Sequence, residues 1–193
     1  MPPKPKVTRE IVLEAALELL REEGMDAINA RNLAKKLGTS TQPIFSHFAS
    51  MEELREALYA DAEHLYNSGM LEAMQGGGNG FLEMGLAYIR FARTEKRLFQ
   101  LLFMSNRLQQ EKVNEIAGST EGDDQVIAMI GSLTGLSPDH SRKLYAGIWY
   151  TTHGIASLLA TNSSTMDDAE ARDVLGHVFK GLLAVLQKES GEL

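Results

Sequence analysis

Residues 29–48 read NARNLAKKLGTSTQPIFSHF. The stretch divides into two short segments with helical patterning, Ala30–Leu37 and Thr41–Phe48, which are separated by Gly38-Thr39-Ser40. Two short helices joined by a tight glycine turn form a helix-turn-helix, in which the second helix fits the major groove of DNA. The spacing alone is equally compatible with an αα-hairpin whose small polar residues face water.

The two predicted helices have apolar and polar faces. The apolar side chains are expected to face inward: Leu33, Ala34, Leu37, Ile44, Phe45 and Phe48. Thr41, Gln42 and Ser46 remain on the outward face, and these residue types hydrogen-bond base edges or phosphates. Gln42 is suited to a bidentate contact with adenine.

Helix signals continue on both sides of this stretch. Thr8, Asn29, Ser40 and Ser50 are expected N-caps. Further helices are predicted at Thr8–Glu23, from Ser50 toward Met74, at Phe81–Arg93, Lys96–Met104 and Asp123–Leu133, from Pro138 to about Ala160, and from the cap Thr165-Met166-Asp167-Asp168 to about Lys188. Ser105–Gly122 is polar and loosely patterned, and the glycine-rich run 75–80 is either an interdomain linker or a loop within one bundle.

No stretch alternates apolar and polar residues for long enough to form a strand. The chain is therefore predicted to be all-α, with about nine helices in total. A three-helix helix-turn-helix domain is expected over residues 1–50, and a larger helical bundle for ligand binding and dimerisation over residues 51–193.

Composition narrows the class of protein. The 193 residues include no cysteine, which excludes disulfides and thiolate metal sites. No apolar run approaches the roughly 20 residues of a membrane-spanning helix, and the N-terminus does not read as a signal peptide, so we expect a cytoplasmic protein. The net charge is −7, but the first 50 residues hold seven Lys and Arg against six Asp and Glu. A basic footprint on an acidic body is therefore compatible with DNA binding.

From Thr8 to Leu54, about a quarter of the chain, the sequence resembles the N-terminal domain of the TetR family of bacterial regulators. The most specific element is Phe45-Ser46-His47-Phe48, followed by Glu53-Leu54. Trp149-Tyr150-Thr151-Thr152-His153-Gly154 resembles the Trp-X-X-X-His-Gly element of one class of TetR C-terminal domains. The resemblance implies a DNA-binding head and a helical body that dimerises and encloses a ligand cavity.

Carried over by position, the resemblance implies these DNA-contacting residues: Lys4, Lys6, Arg9, Asn29, Arg31, Ser40, Thr41, Gln42, Pro43, Phe45, Ser46 and His47. Thr41, Gln42 and Pro43 would approach bases, whereas Asn29, Arg31, Ser46 and His47 would touch phosphates. Lys4, Lys6 and Arg9 would reach the backbone or the adjacent minor groove. Phe45 stands where the family often has tyrosine, and Met51 where lysine is common, so two phosphate contacts are missing.

Aromatic and thioether side chains on separate helices of the body are candidates for an apolar ligand site: Phe81, Met84, Tyr88, Phe103, Met129, Trp149 and His153. Packing in an ordinary core is the alternative for all of them. The histidines share no metal-ligand spacing, so neither a metal site nor a cofactor is expected. No residue arrangement indicates catalysis.

Two apolar stripes on the last two helices are wide enough to suit a four-helix bundle made from two subunits. They consist of Leu144, Ile148, Ile155 and Leu159, and of Val174, Val178, Leu182 and Leu186. Burial within one subunit is the alternative. The sequence as a whole predicts a homodimeric repressor that binds a palindromic double-stranded DNA operator and is released by a small, mostly apolar effector. An architectural or partner-binding protein with a DNA-binding head but no small-molecule ligand is the rival hypothesis.

Overall fold

The computed structural model describes residues 7–76, 80–105 and 121–191, without the side chains of residues 121–123. Within these ranges the chain forms nine α-helices, one 3-10 turn at Met25–Ala27 and no strand. The helices are α1 (Arg9–Glu23), α2 (Ala30–Lys36), α3 (Gln42–His47), α4 (Met51–Gln75), α5 (Gly80–Thr94), α6 (Lys96–Phe103), α7 (Glu121–Thr134), α8 (Pro138–Ala160) and α9 (Asp168–Glu189). The prediction of an all-α fold is confirmed. Most of the predicted polar stretch Ser105–Gly122 lies outside the described residues.

Local capping interactions define the helices of the head. Thr8 and Asn29 cap α1 and α2, with Asn29 Oδ1 accepting from the Asn32 amide at 3.0 Å. Gly38, at φ +63°, ends α2 in a Schellman motif, because its own amide and that of Thr39 donate to carbonyls one turn back. The expectation that Ser40 caps the third helix is wrong: α3 begins at Gln42 after Thr41, and no side chain caps it.

The core of the head extends beyond the first three helices. Buried apolar side chains of α1, α2 and α3 pack against Leu54, Leu58 and Ala62 of α4 and against Leu98 and Leu102 of α6. The long helix α4 and the short helix α6 therefore belong to the head core and to the body at the same time. The division of the chain after residue 50 remains a prediction.

The body is built around α8. This helix packs on α5, α7 and α9, and α5 packs in turn on α4. A capping box begins α9, in which Asp167 and Glu170 bond each other's backbone amides. The next residue, Asp168, is paired with Arg90 and Arg93 of α5, which fixes the start of α9 against the body.

Among the residues that the structure describes, no helix is long and apolar enough to cross a membrane.

Candidate DNA interface and effector site

The outward surface of α3 and of the turn before it carries most of the residues predicted to meet DNA. The exposed members are Ser40, Thr41, Gln42, Phe45 and Ser46. On the opposite face Ile44 is 0% exposed and Phe48 is 1% exposed, so the helix is held by these two side chains. The expectation that Phe45 faces inward is wrong: its side chain is 47% exposed. One residue after Ile44, it is rotated by about 100° away from the buried face.

Asn29 and Arg31 lie at the start of α2. The Asn29 amide is engaged in the helix cap, because Nδ2 also donates to the Ala27 carbonyl at 3.2 Å. Arg31 is exposed in the first turn of the helix. Asn29 therefore sets the start of α2, and the phosphate contacts of both residues remain predictions.

His47, at the end of α3, contacts the N-terminal end of the described chain. Its Nε2 atom lies 2.9 Å from the Val7 carbonyl oxygen. Arg9 lies beside it with its guanidinium carbon 4.8 Å from the centre of the Phe48 ring, in a cation–π arrangement. Lys4 and Lys6 lie outside the described residues.

The basic residues of α2 differ in availability. Lys35 is exposed, whereas Lys36 forms ion pairs with Glu18 at 3.2 Å and with Glu22 at 3.0 Å. The head therefore offers fewer unpaired basic side chains to DNA than the sequence indicated, because Lys36 is paired with carboxylates of α1.

In the body, Tyr88, His153 and Trp149 form a connected series. The Tyr88 Oη atom lies 2.9 Å from His153 Nδ1, and the His153 ring stacks on Trp149 with centroids 5.0 Å apart and planes 4° apart. Burial lowers the pKa of His153, so the imidazole is neutral at pH 7. Burial also raises the pKa of the Tyr88 hydroxyl, which therefore stays protonated and can share the hydrogen bond with Nδ1 as donor or as acceptor.

Three further aromatic rings pack around Tyr88, and one of them, Phe99, also lies 5.9 Å from the His153 ring. Phe99, Phe103 and Tyr66 lie with ring centroids 5.4, 5.2 and 5.9 Å from that of Tyr88. Phe99 and Phe103 belong to α6, the helix that also contributes Leu98 and Leu102 to the head core. We call Tyr66, Tyr88, Phe99 and Phe103 the aromatic cluster. Tyr66 and Phe103 also pack against the head core, so the cluster touches the head directly.

The seven residues predicted to line a ligand site fall into two groups. Phe81, Met84, Met129 and Trp149 pack around the core of α7, α8 and α9, whereas Tyr88 and Phe103 belong to the aromatic cluster. His153 joins the groups, because it stacks on Trp149 and shares a hydrogen bond with Tyr88. A groove of about 650 Å³ also opens between α5, α8 and α9, and Phe81 is the member of the predicted set that lines it.

The residues predicted to form the dimer interface are largely covered within one chain. The buried members are Leu144, Ile148, Ile155, Leu159 and Leu186. Val174, Val178 and Leu182 are half-buried. Burial within one subunit, the alternative that the sequence left open, accounts for the five buried side chains.

A different apolar surface of α8 and α9 is open to solvent. Tyr150 and Leu158 on α8 are 54% and 50% exposed, and Val185 on α9 is 55% exposed. Gly154 lies between Tyr150 and Leu158 on the same face, and Gly181 lies one turn before Val185. We call these five residues the outer face.

Comparison with known proteins identifies both halves of the chain. Residues 12–58 match the family of bacterial regulatory proteins of the tetR type, and residues 81–184 match a tetracyclin repressor-like C-terminal domain. An uncharacterized HTH-type transcriptional regulator of Mycobacterium tuberculosis is 27% identical over 191 residues, which cover 96% of this chain and 84% of that protein. The class D tetracycline repressor of Escherichia coli is 42% identical over 53 residues, 28% of this chain and 24% of that protein.

Solved structures share the fold. A protein of unknown function from Rhodococcus sp. RHA1 is 20% identical, with a TM-score of 0.70 over 95% of this chain and 100% of that one. A TetR variant from Acinetobacter baumannii AYE in complex with minocycline is 19% identical, with a TM-score of 0.59 over 94% of this chain and 99% of that one. The more specific Trp-X-X-X-His-Gly class remains a prediction. Since a match to the head is followed by a match to more than half of the chain, the protein belongs to the TetR family of transcriptional regulators, with a tetracyclin repressor-like C-terminal domain.

Proposed function

We propose that this chain is a homodimeric repressor that acts in the cytoplasm, binds a palindromic operator through α3 and is released by a small, mostly apolar effector. Proteins of the TetR family are typically DNA-binding repressors with ligand-binding C-terminal domains, which supports the general class. The operator, the effector and the contacting residues are specific to this proposal.

The observation that carries the proposal is the separation of the two faces of α3. Ile44 and Phe48 anchor the helix in the core, whereas Thr41 and Gln42 are exposed at its N-terminal end. In helix-turn-helix proteins this end of the recognition helix approaches the base edges. Such an arrangement leaves the polar side chains free to meet the major groove without disturbing the head core.

Selection of bound fragments from a genomic library tests DNA recognition. We expect enrichment of inverted repeats whose half-sites are about one helical turn, roughly 34–36 Å, apart. Enrichment of unrelated fragments, with no palindrome and equal affinity for random duplexes, would contradict operator recognition. It would favour the architectural protein instead.

We propose the outer face as the surface that meets the second subunit. Gly154 and Gly181 lie within helices, and no described atom comes within 4 Å of the position that a Cβ would occupy on either. Glycine within a helix costs about 1 kcal/mol relative to alanine. Close approach of a second pair of α8 and α9 helices would use this free space and would cover Tyr150, Leu158 and Val185.

The aromatic cluster is the part of the body best suited to sense an effector. Tyr88 contacts His153, which stacks on Trp149, and it also packs against Phe99 and Phe103 of α6; the Phe99 ring lies 5.9 Å from that of His153. An apolar or aromatic molecule that enters between these rings would displace α6. Because α6 also packs in the head core, the spacing of the two recognition helices in the dimer would change.

The effector acts through its preference for one of two conformations. To convert the operator complex from 99:1 bound to 1:99, it must prefer the released state by about 5.5 kcal/mol. Trp149, the only tryptophan of the chain, reports on this event. Hydrophobic compounds that dissociate the operator complex should change its emission. Unchanged emission, together with a normal response of Trp149→Leu, would place the effector elsewhere.

A further inference from the structure

The groove between α5, α8 and α9 shares no residue with the aromatic cluster. Its volume of about 650 Å³ lies within the range of small-molecule sites, roughly 300–1,000 Å³. Its walls are mostly apolar and come from all three helices: Phe81 and Leu82 of α5, Ile148 of α8, and Leu175 and Phe179 of α9. The groove therefore has the size and the lining to bury the apolar part of a small ligand.

Two glycines within helices line the groove, Gly85 of α5 and Gly176 of α9. A Cβ on Gly85 would make ordinary contacts, at 3.5 Å from Leu175 and 3.7 Å from Thr152. On Gly176 it would meet no described atom within 4 Å. Glycine inside a helix is less stable than alanine, and close packing requires it at neither position. A larger side chain at Gly176 would take up space in the groove.

The charged residues that line the groove differ in how far they are neutralised. Arg172 is paired with Glu83 at 2.8 Å. His177 Nδ1 lies 2.9 Å from the Asp173 carbonyl oxygen and 3.4 Å from the Asp173 carboxylate. Lys180 differs from both, because no carboxylate of the described part of the chain lies within ion-pair distance of it. The groove thus carries its uncompensated positive charge at the Lys180 end.

The relative direction of α5 and α9 adds to the positive potential at that end. The Phe81 ring, at the start of α5, lies 6.4 Å from the ring of Phe179, the residue before Lys180. Arg93, at the other end of α5, pairs with Asp168 at the start of α9. The two helices are therefore antiparallel, and the N-terminal end of α5, which is the positive end of its dipole, lies near Lys180. An anionic group is favoured there, and apolar groups are favoured along the rest of the groove.

We propose that this groove binds an elongated amphipathic monocarboxylate of the fatty-acid class. Its carboxylate pairs with Lys180, and its apolar chain lies between α5 and α9. From Ala169 to Lys180, helix α9 rises about 16 Å along the groove, which suits a linear ligand. The site is separate from the aromatic cluster proposed for the effector, and its ligand carries a charge.

The groove also lies away from the surface proposed to meet the second subunit. Gly176 and Gly181 are five residues apart in α9, so they point about 140° apart around the helix axis. Pairing of two subunits through the outer face therefore leaves the groove accessible.

Titration calorimetry of the full-length protein tests the proposal with decanoate and decanol, both below the concentrations at which they aggregate. Wild type should bind decanoate about tenfold more tightly than decanol, because the alcohol cannot form the charge-assisted contact with Lys180. Lys180→Met keeps most of the apolar stem. It should weaken decanoate binding about tenfold and leave decanol binding unchanged. Lys188→Met, at an exposed position in the last turn of the same helix, is the matched control and should bind both as wild type does.

A second variant tests the place of the apolar chain. Gly176→Leu should abolish the binding of both compounds, and its thermal stability should equal or exceed that of wild type, because leucine favours the helix more than glycine does. Wild-type affinity for decanoate in Gly176→Leu would overturn the proposal, as would the absence of decanoate binding by wild type. Equal losses in Lys180→Met and Lys188→Met would show a general attraction of anions instead of a site. None of these measurements needs DNA, so they stand even if the proposed repressor function fails.

Discussion

Arg21 of α1 and Glu95, the residue between α5 and α6, are joined by two hydrogen bonds of 2.9 Å each, from Nε to Oε2 and from Nη2 to Oε1. The two residues are 74 positions apart. The pair connects the outside of the head to the N-terminal end of α6. Because two guanidinium nitrogens bind the two carboxylate oxygens, the pair fixes the relative orientation of the two side chains, which a single contact would not do.

The interaction energy between Arg21 and Glu95 should be measurable. Both side chains are partly exposed, so the pair is expected to contribute about 0.3–1 kcal/mol to the free energy of unfolding. We expect this value from a double-mutant cycle of Arg21→Met and Glu95→Gln measured by urea unfolding. The Arg55–Glu52 pair, at 3.5 Å with Glu52 73% exposed, provides the control and should show coupling near zero. Equal coupling for both pairs would argue against a special link between α1 and α6.

Different substitutions should affect the recognition of bases and the attraction to phosphates separately. Gln42→Ala should weaken operator binding by about 1–3 kcal/mol and relax the preference at one base position. Replacing Lys4 and Lys6 by alanine should instead weaken binding to all sequences alike and flatten the salt slope. Fluorescence anisotropy with operator and scrambled duplexes measures both effects. If neither change alters operator affinity, α3 is not the recognition helix.

Two neighbouring positions on α9 should respond differently to aspartate. Val185 is 55% exposed on the outer face, whereas Leu182 Cδ1 lies 2.5 Å from the place of a Cβ on Gly147 and fills the contact with α8. Val185→Asp should give a folded monomer with lost operator binding, while Leu182→Asp should destabilise the subunit itself by burying an unpaired charge. Sedimentation and thermal unfolding distinguish the two results. Ala128→Asp on the exposed side of α7 is the matched control and should remain dimeric.

The stacked pair of Trp149 and His153 should give a fluorescence signal that depends on pH. Because burial lowers the pKa of His153 below 6.5, its neutral form contributes stability that is complete above pH 6.5 and is lost as pH falls through the lowered pKa. Trp149 emission should fall over the same interval, since a protonated imidazole quenches the stacked indole. His153→Gln should abolish the transition. A transition that persists in His153→Gln would have another origin.

The sequence predicted the helices and their caps better than it predicted which surfaces pack against each other. Period-3.6 patterning and the cap at Asn29 depend on interactions between residues that are close in sequence, so the sequence is sufficient to predict them. By contrast, Leu144 and Ile148 carry the same pattern whether a neighbouring helix or a second subunit covers them. Only the packing of α7, α8 and α9 shows that one chain already buries both.

The functional residues, too, could be predicted only where local helical geometry determines their position. Gln42 was placed correctly on the exposed face of α3 because its position relative to Ile44 follows from helical geometry. The contact of His47 with Val7 could not be predicted, since nothing local relates residues 40 positions apart. Neither could the pairing of Tyr88 with His153, although the sequence marked both residues as candidates.

The sharing of α6 between two cores has a consequence for exchanging DNA specificity among relatives. A chimera joined after residue 50 would bring a foreign three-helix head onto Leu98 and Leu102, side chains shaped for the partners they have here. Transferred specificity would then come with poor packing at α6, which touches both the head core and the aromatic cluster. Such hybrids should bind the new operator yet lose their inducibility, unless the matching surface of α6 is transferred together with the head.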